Sequence, residues 1–192
     1  MATRSSDVPP ALGPALGAVV DEGRGSLPYA LIHGEALVAT AVWALGEAGV
    51  TPVDATVAWE RVRTSGEPFV LHDPLCPMTP PAFIAECLAR AVEADAVVVG
   101  VREVTDTVKV LDGDRVGETV DRSGLAVVCS PIVLPPAVVA AVEALPGPHF
   151  APMVAALEER FPVERVPAPP EARRVASEDD LVLLAALTEP VR

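Results

Sequence analysis

The chain reads as an α/β protein with a doubly wound, mostly parallel sheet, and three observations point there. Half of its 192 residues are hydrophobic yet only 4% are aromatic. That apolar content is mostly Ala, Val and Leu, which suits buried parallel strands under Ala-rich helices better than a β-sandwich. Short apolar runs alternate with longer stretches of helical periodicity. The length fits one hydrophobic core, so residues 15–192 are expected to form one domain behind a flexible lead-in over residues 1–14.

The elements follow in order. Leu16 to Val20 is a short apolar run ending at the polar turn Asp21-Glu22-Gly23-Arg24-Gly25-Ser26, as a first strand entering a loop at the sheet's carboxyl edge should. Glu35 to Gly49 places Leu37, Val38, Ala41, Val42 and Leu45 on one helical face, with Gly49 as its stop. Ala55 to Trp59 is expected to be a strand, Glu60 to Glu67 a polar link, and Phe69 to His72 a further strand. Thr79 is expected to cap a helix that turns Phe83, Ile84, Cys87, Leu88 and Ala91 inward and feeds the strand Ala96 to Val101. Val108 to Val120 alternates apolar and polar residues around Asp112-Gly113, the pattern of a projecting hairpin, which defines an arm over about residues 105–124. Ala126 to Ser130 has buried-strand composition, Pro135 to Ala144 and Pro152 to Arg160 read as helices, and Val163 to Val166 as a strand. Ser177 with Asp180 resembles a capping box opening a last helix that carries Leu181, Leu184 and Leu187.

Charge excludes some partners. With 27 acidic against 14 basic side chains the formal net charge is -13, and the field repels nucleic acid and anionic membranes. A small phosphorylated ligand remains compatible, since a few local cations and backbone N–H groups suffice to hold it. The uncharged stretch Gly124 to Val142 is interrupted by Ser130, Pro131, Pro135 and Pro136, so it reads as strand plus helix, not a membrane span. Cys76, Cys87 and Cys129 are odd in number and lack metal-site spacing, as expected of reduced thiols in the cytoplasm. The lead-in has no continuous apolar segment that would make it a signal peptide.

Four segments in order carry a resemblance: HDPLCP at His72 to Pro77, TDTVK at Thr105 to Lys109, ETVDRSGL at Glu118 to Leu125, and ASEDDL at Ala176 to Leu181. Together with the weaker LPYALIHGEALV, Leu27 to Val38, they resemble the 2-C-methyl-D-erythritol 4-phosphate cytidylyltransferases. The resemblance implies a nucleotidyltransferase-type fold, an arm that interlocks two subunits into a homodimer, and transfer of CMP from CTP to a sugar-alcohol phosphate with release of pyrophosphate. Such chemistry depends on positioning and on cations around the phosphates. By the resemblance, Gly23 and Gly25 remain from the nucleotide-binding loop, Arg24 and Arg174 are the candidate catalytic cations, and Asp73, Thr107, Arg122 and Ser130 form the acceptor-binding side. Mg²⁺, if the protein is active, would be held by Asp73 with a loop acid such as Asp21.

The departures from the pattern fall on the CTP side. The glycine-rich loop is contracted and acidic, the family's lysine falls at Leu27, an arginine position holds Cys76, and the segment that frames the cytosine is reduced to the link before Phe69. Structural alternatives stand beside several roles: Arg24 as a solvated turn residue, Arg173 and Arg174 as surface partners of nearby acids, Thr107 and Arg122 as anchors of the arm, His72 as a satisfied strand end, and Cys76 as an inert buried thiol. Two functional readings result. One is a homologue impaired or lacking in nucleotidyl transfer that binds a small phosphorylated metabolite or partners a true enzyme. The alternative is a working cytidylyltransferase in which Arg24, Arg173 and Arg174 replace the missing cations, its nucleotide or sugar preference changed or not.

Overall fold

The computed structural model describes residues 13–54, 56–104 and 107–189. Most of the expected lead-in, residues 1–12, lies outside them, as do Thr105 and Asp106 of the TDTVK segment. The strands are β1 (Ala15–Val19), β2 (Leu31–Ile32), β3 (Glu35–Ala36), β4 (Val50–Pro52), β5 (Phe69–His72), β6 (Val97–Glu103), β7 (Lys109–Asp112), β8 (Arg115–Thr119), β9 (Ala126–Leu134) and β10 (Val163–Pro167). The helices are α1 (Leu37–Glu47), α2 (Trp59–Arg63), α3 (Pro81–Ala94), α4 (Pro136–Ala141), α5 (Phe150–Glu158) and α6 (Glu178–Leu187).

A central sheet runs in the order β10-β6-β9-β5-β1-β4. All its strands point the same way except β9, which is antiparallel to both β5 and β6. Helices cover both faces. One core layer joins α1 and α3 to the sheet through residues such as Leu45, Ile84, Cys87, Leu88, Val70 and Val98. The other packs α4 and α5 on Phe69, Leu71, Val97, Val99 and Ile132. Alternate residues of β5 therefore serve opposite layers, as the pleat requires. Gly100 lets β6 pass close to β9: a Cβ there would lie 2.7 Å from the Ser130 carbonyl oxygen.

Several elements match the sequence expectation. The strand Phe69–His72 is found over the expected residues, and the inward face of α3 is the one foreseen. Ser177 caps α6, its hydroxyl accepting from the Asp180 amide while the Asp180 carboxylate accepts from the Ala176 amide. The uncharged stretch is strand β9 and helix α4, and no described helix is long and apolar enough to cross a membrane.

Other details are corrected. Of the expected strand Ala55 to Trp59, Ala55 lies outside the described residues and no strand forms over residues 56–59; β4 lies earlier, and Trp59 starts α2, where its indole N–H donates to the Val142 carbonyl at 2.8 Å and its ring meets Phe69 edge-on. The expected polar link after it is thus partly helical. Thr79 does not cap α3: Pro80 holds that position, and the threonine hydroxyl donates instead to the Cys76 carbonyl. On α1, Val42 faces outward and Ala44 replaces it in the core.

Candidate functional site

The carboxyl ends of β1 and β5 bring the loop after Val19 beside the residue after His72, the edge at which open α/β sheets bind ligands. Asp73 is the centre of what assembles there. Its carboxylate is 3% exposed and engaged on both oxygens: Oδ1 accepts from Arg24 Nε at 3.1 Å and from the Leu75 amide at 3.0 Å, and Oδ2 accepts from Arg174 Nε at 3.2 Å.

The two arginines differ in kind. Arg24 is buried; besides Asp73, its guanidinium donates to the Glu22 carbonyl at 3.4 Å, to His149 Nδ1 at 3.0 Å and to the Pro148 carbonyl at 2.8 Å, with the Phe150 ring 5.8 Å away. It is no solvated turn residue but a bolt from the β1 loop to the start of α5. Little of its fork is left for a ligand. Because a guanidinium only donates, Nδ1 must accept, and the proton of neutral His149 sits on Nε2. Arg174 is 36% exposed and is held at Nε alone. Its neighbour Arg173 pairs at 3.7 Å with Asp180, as the surface alternative expects.

Arg24, Asp73, His149 and Arg174 line a cleft of about 360 Å³ whose other walls include Val127, Val128, Phe150 and Pro152. Ser130 lies behind it. Its hydroxyl accepts from the Asp73 amide at 3.0 Å and is hydrogen-bonded to His72 Nδ1. His72 is fully buried, and burial pushes it down to about 4, so the ring is neutral. Its Nε2 has no hydrogen-bond partner among the described residues, so the expected satisfied strand end is only half satisfied. The Cys76 thiol is buried and pushed well up, first by desolvation and then by the Asp73 charge, which leaves it unreactive.

The remaining sequence candidates lie elsewhere. Gly23 adopts φ 73°, and a Cβ there would come within 3.1 Å of the His149 ring, so the bolt needs a glycine. Gly25, at φ 61°, faces open space. Thr107 and Arg122 are exposed at the base of the β7–β8 hairpin and do not line the Asp73 cleft. The hairpin carries Val110, Leu111 and Val116 exposed. Leu27 packs against the cluster of Ile32, Leu37, Leu75, Val175 and Leu184.

A second, larger cavity of about 570 Å³ opens beside the first, between the ends of β1 and β4 and the start of α2. It is apolar, walled by residues such as Val53, Trp59 and Phe69; among the described residues its charged lining is Asp21, Glu22 and Asp54, with no arginine or lysine. His149 and Pro148 were not foreseen from the sequence: a histidine ahead of a helix carries no motif, and its partner Arg24 is 125 residues away.

Over 122 residues the chain is 35% identical to a 2-C-methyl-D-erythritol 4-phosphate cytidylyltransferase of Frankia casuarinae, a match covering 62% of this chain and 45% of that protein. The chain thus spans less than half the length of the curated relative it matches. In fold it is similar to the 2-C-methyl-D-erythritol 4-phosphate cytidylyltransferase of Thermus thermophilus, with TM-score 0.66 and 19% identity over 93% of this chain and 100% of the other. It is also similar to the 4-diphosphocytidyl-2C-methyl-D-erythritol synthase of Anaerococcus prevotii, with TM-score 0.66 and 13% identity over 92% and 97%. No protein-family model matches the chain.

Proposed function

Since the chain is related in sequence and in fold to the 2-C-methyl-D-erythritol 4-phosphate cytidylyltransferases, we propose that it is a member of that group without nucleotidyl transfer, one that keeps the acceptor half of the site as a cleft for a small phosphorylated metabolite. The observation that carries this reading is the pairing of Asp73 with Arg24 on one oxygen and Arg174 on the other. A transferase would need Arg24 free to meet a polyphosphate, whereas its nitrogens are engaged by Asp73, His149 and two carbonyls.

The nucleotide side supports the same conclusion. Among the described residues the cavity beside the β1 loop is rimmed by three carboxylates and no cation, and Leu27 packs against the core. Loss of one cation at a transferring phosphoryl group costs about 3 kcal/mol or more of transition-state stabilisation. Mg²⁺ does not fit Asp73 as it stands, because both carboxylate oxygens face guanidinium groups.

In this reading Arg174 contacts the ligand, Asp73, Arg24 and Ser130 hold the cleft, and Gly23 admits the bolt. Thr107 and Arg122 belong to the arm, whose exposed Val110, Leu111 and Val116 suit burial against a second copy in a homodimer. The domain spans residues 15–192 and works in the cytoplasm.

A coupled pyrophosphate-release assay with CTP, Mg²⁺ and methylerythritol phosphate, run beside thermal-shift titrations of each ligand, tests the reading. The expected result is no release and a shift with the phosphomonoester alone. Release above background would establish the working cytidylyltransferase instead, with Arg24 and Arg174 as its cations.

A further inference from the structure

We infer that Asp73 acts as an internal counterion where a metal ligand is called for, holding Arg174 at the cleft so that a small phosphomonoester binds by direct guanidinium contact, with no divalent cation. The inference rests on the anion-binding reading above and adds how the anion is held.

The donor set argues against a metal. Mg²⁺ asks for near-octahedral oxygen ligands, commonly one or two carboxylates. Among the described residues Asp73 is the one acidic residue lining the cleft, and its oxygens already take Arg24, Arg174 and the Leu75 amide. Asp21 lines the other cavity and accepts from the Tyr29 hydroxyl at 3.3 Å. Among the described residues no group of three His, Cys, Asp or Glu could hold a metal ion. A dication approaching Asp73 would also meet two permanently charged guanidinium groups.

The same arrangement favours an anion. Arg24 and Arg174 against Asp73 leave the cleft with a surplus positive charge inside a protein of net charge -13, while His149 is neutral in accepting from Arg24. Arg174 spends only Nε on Asp73, so its two terminal nitrogens offer the paired donors that match a phosphate edge. Val127, Val128, Phe150 and Pro152 form apolar walls that would lie against a short carbon skeleton and keep water from the ion pair. The volume of about 360 Å³ suits a small ester and is near the lower end for ligand pockets.

The test is calorimetric titration of the full chain with glycerol 3-phosphate, once in EDTA and once in excess Mg²⁺, repeated with Arg174→Gln, with Mn²⁺ and its paramagnetic signal as a metal probe. Equal affinity in the two buffers, loss of about tenfold or more in Arg174→Gln with the melting temperature lowered by no more than about 4 °C, and no bound Mn²⁺ are expected. Binding that disappears in EDTA, or Mn²⁺ held by the wild-type chain, overturns the counterion inference yet leaves the noncatalytic reading intact. Absence of binding in both buffers overturns it as well. Pyrophosphate release from CTP is the separate result that would sink the underlying reading.

Discussion

Replacing Arg24 by alanine should destabilise the protein far more than the same change at Arg174, although both touch one carboxylate. Arg24 and Asp73 are 2% and 3% exposed, and removing one partner of a buried pair costs about 3–5 kcal/mol because the other charge is stranded. Here Arg174 and the Leu75 amide still face Asp73, so the lower end, about 3 kcal/mol, is expected. With a urea dependence of about 2 kcal/mol per molar, the midpoint falls by about 1.5 M. Arg174 is 36% exposed; solvent screening reduces its pair to about 1 kcal/mol or less, a midpoint change of about 0.5 M. Urea unfolding followed by circular dichroism measures both. Equal shifts, or an Arg24→Ala loss below about 1 kcal/mol, would refute the view of Arg24 as a buried bolt between the β1 loop and α5.

Three further outcomes are expected. Gly100→Ala should cost about 2 kcal/mol or more in thermal unfolding, since the new methyl would lie 2.7 Å from the Ser130 carbonyl oxygen and 3.2 Å from the Phe83 ring, and backbone cannot step aside cheaply. His72 is pushed from its ordinary 6.5 to about 4 by burial, so between those values the unfolded chain takes up a proton that the folded one refuses. Its contribution is intact above about pH 6.5 and falls by about 3 kcal/mol as the pH drops toward 4; His72→Gln should flatten that part of the stability profile, and superimposable profiles would contradict the assignment. Ser177→Ala should cost about 1 kcal/mol through loss of the α6 cap, read from the urea midpoint.

Local signals made much of the fold legible. The continuous apolar run at Phe69–His72, the inward face of α3 and the Ser177–Asp180 box each depend on neighbours within a few residues. Ala55 to Trp59 misleads because its β-like composition is overruled by a distant carbonyl at Val142 and by the Phe69 ring. The site was legible only in part. Asp73 stands in a segment with a recognisable pattern, Ser130 and Arg174 lie a few residues outside two others, and the fold gathers all three. The burial of Arg24 comes from Pro148 and His149, on a loop and helix start far along the chain, and nothing in a six-residue polar turn foretells it.

On the proposed reading, Leu27 would give the loss of a charge a direction in time. Its side chain is now shared among Ile32, Leu37, Leu75, Val175 and Leu184, the cluster that ties the first helix to the last. If that position once held a cation, putting lysine back would restore one charge to the loop and strip apolar contact from the cluster against which the half-buried Leu27 packs. A single reversion would therefore be selected against on stability before any benefit in chemistry could appear. If nucleotidyl transfer is absent, as proposed, recovering it would demand coordinated change in the loop and around Leu184, so descent from an active ancestor would be, for practical purposes, a one-way step.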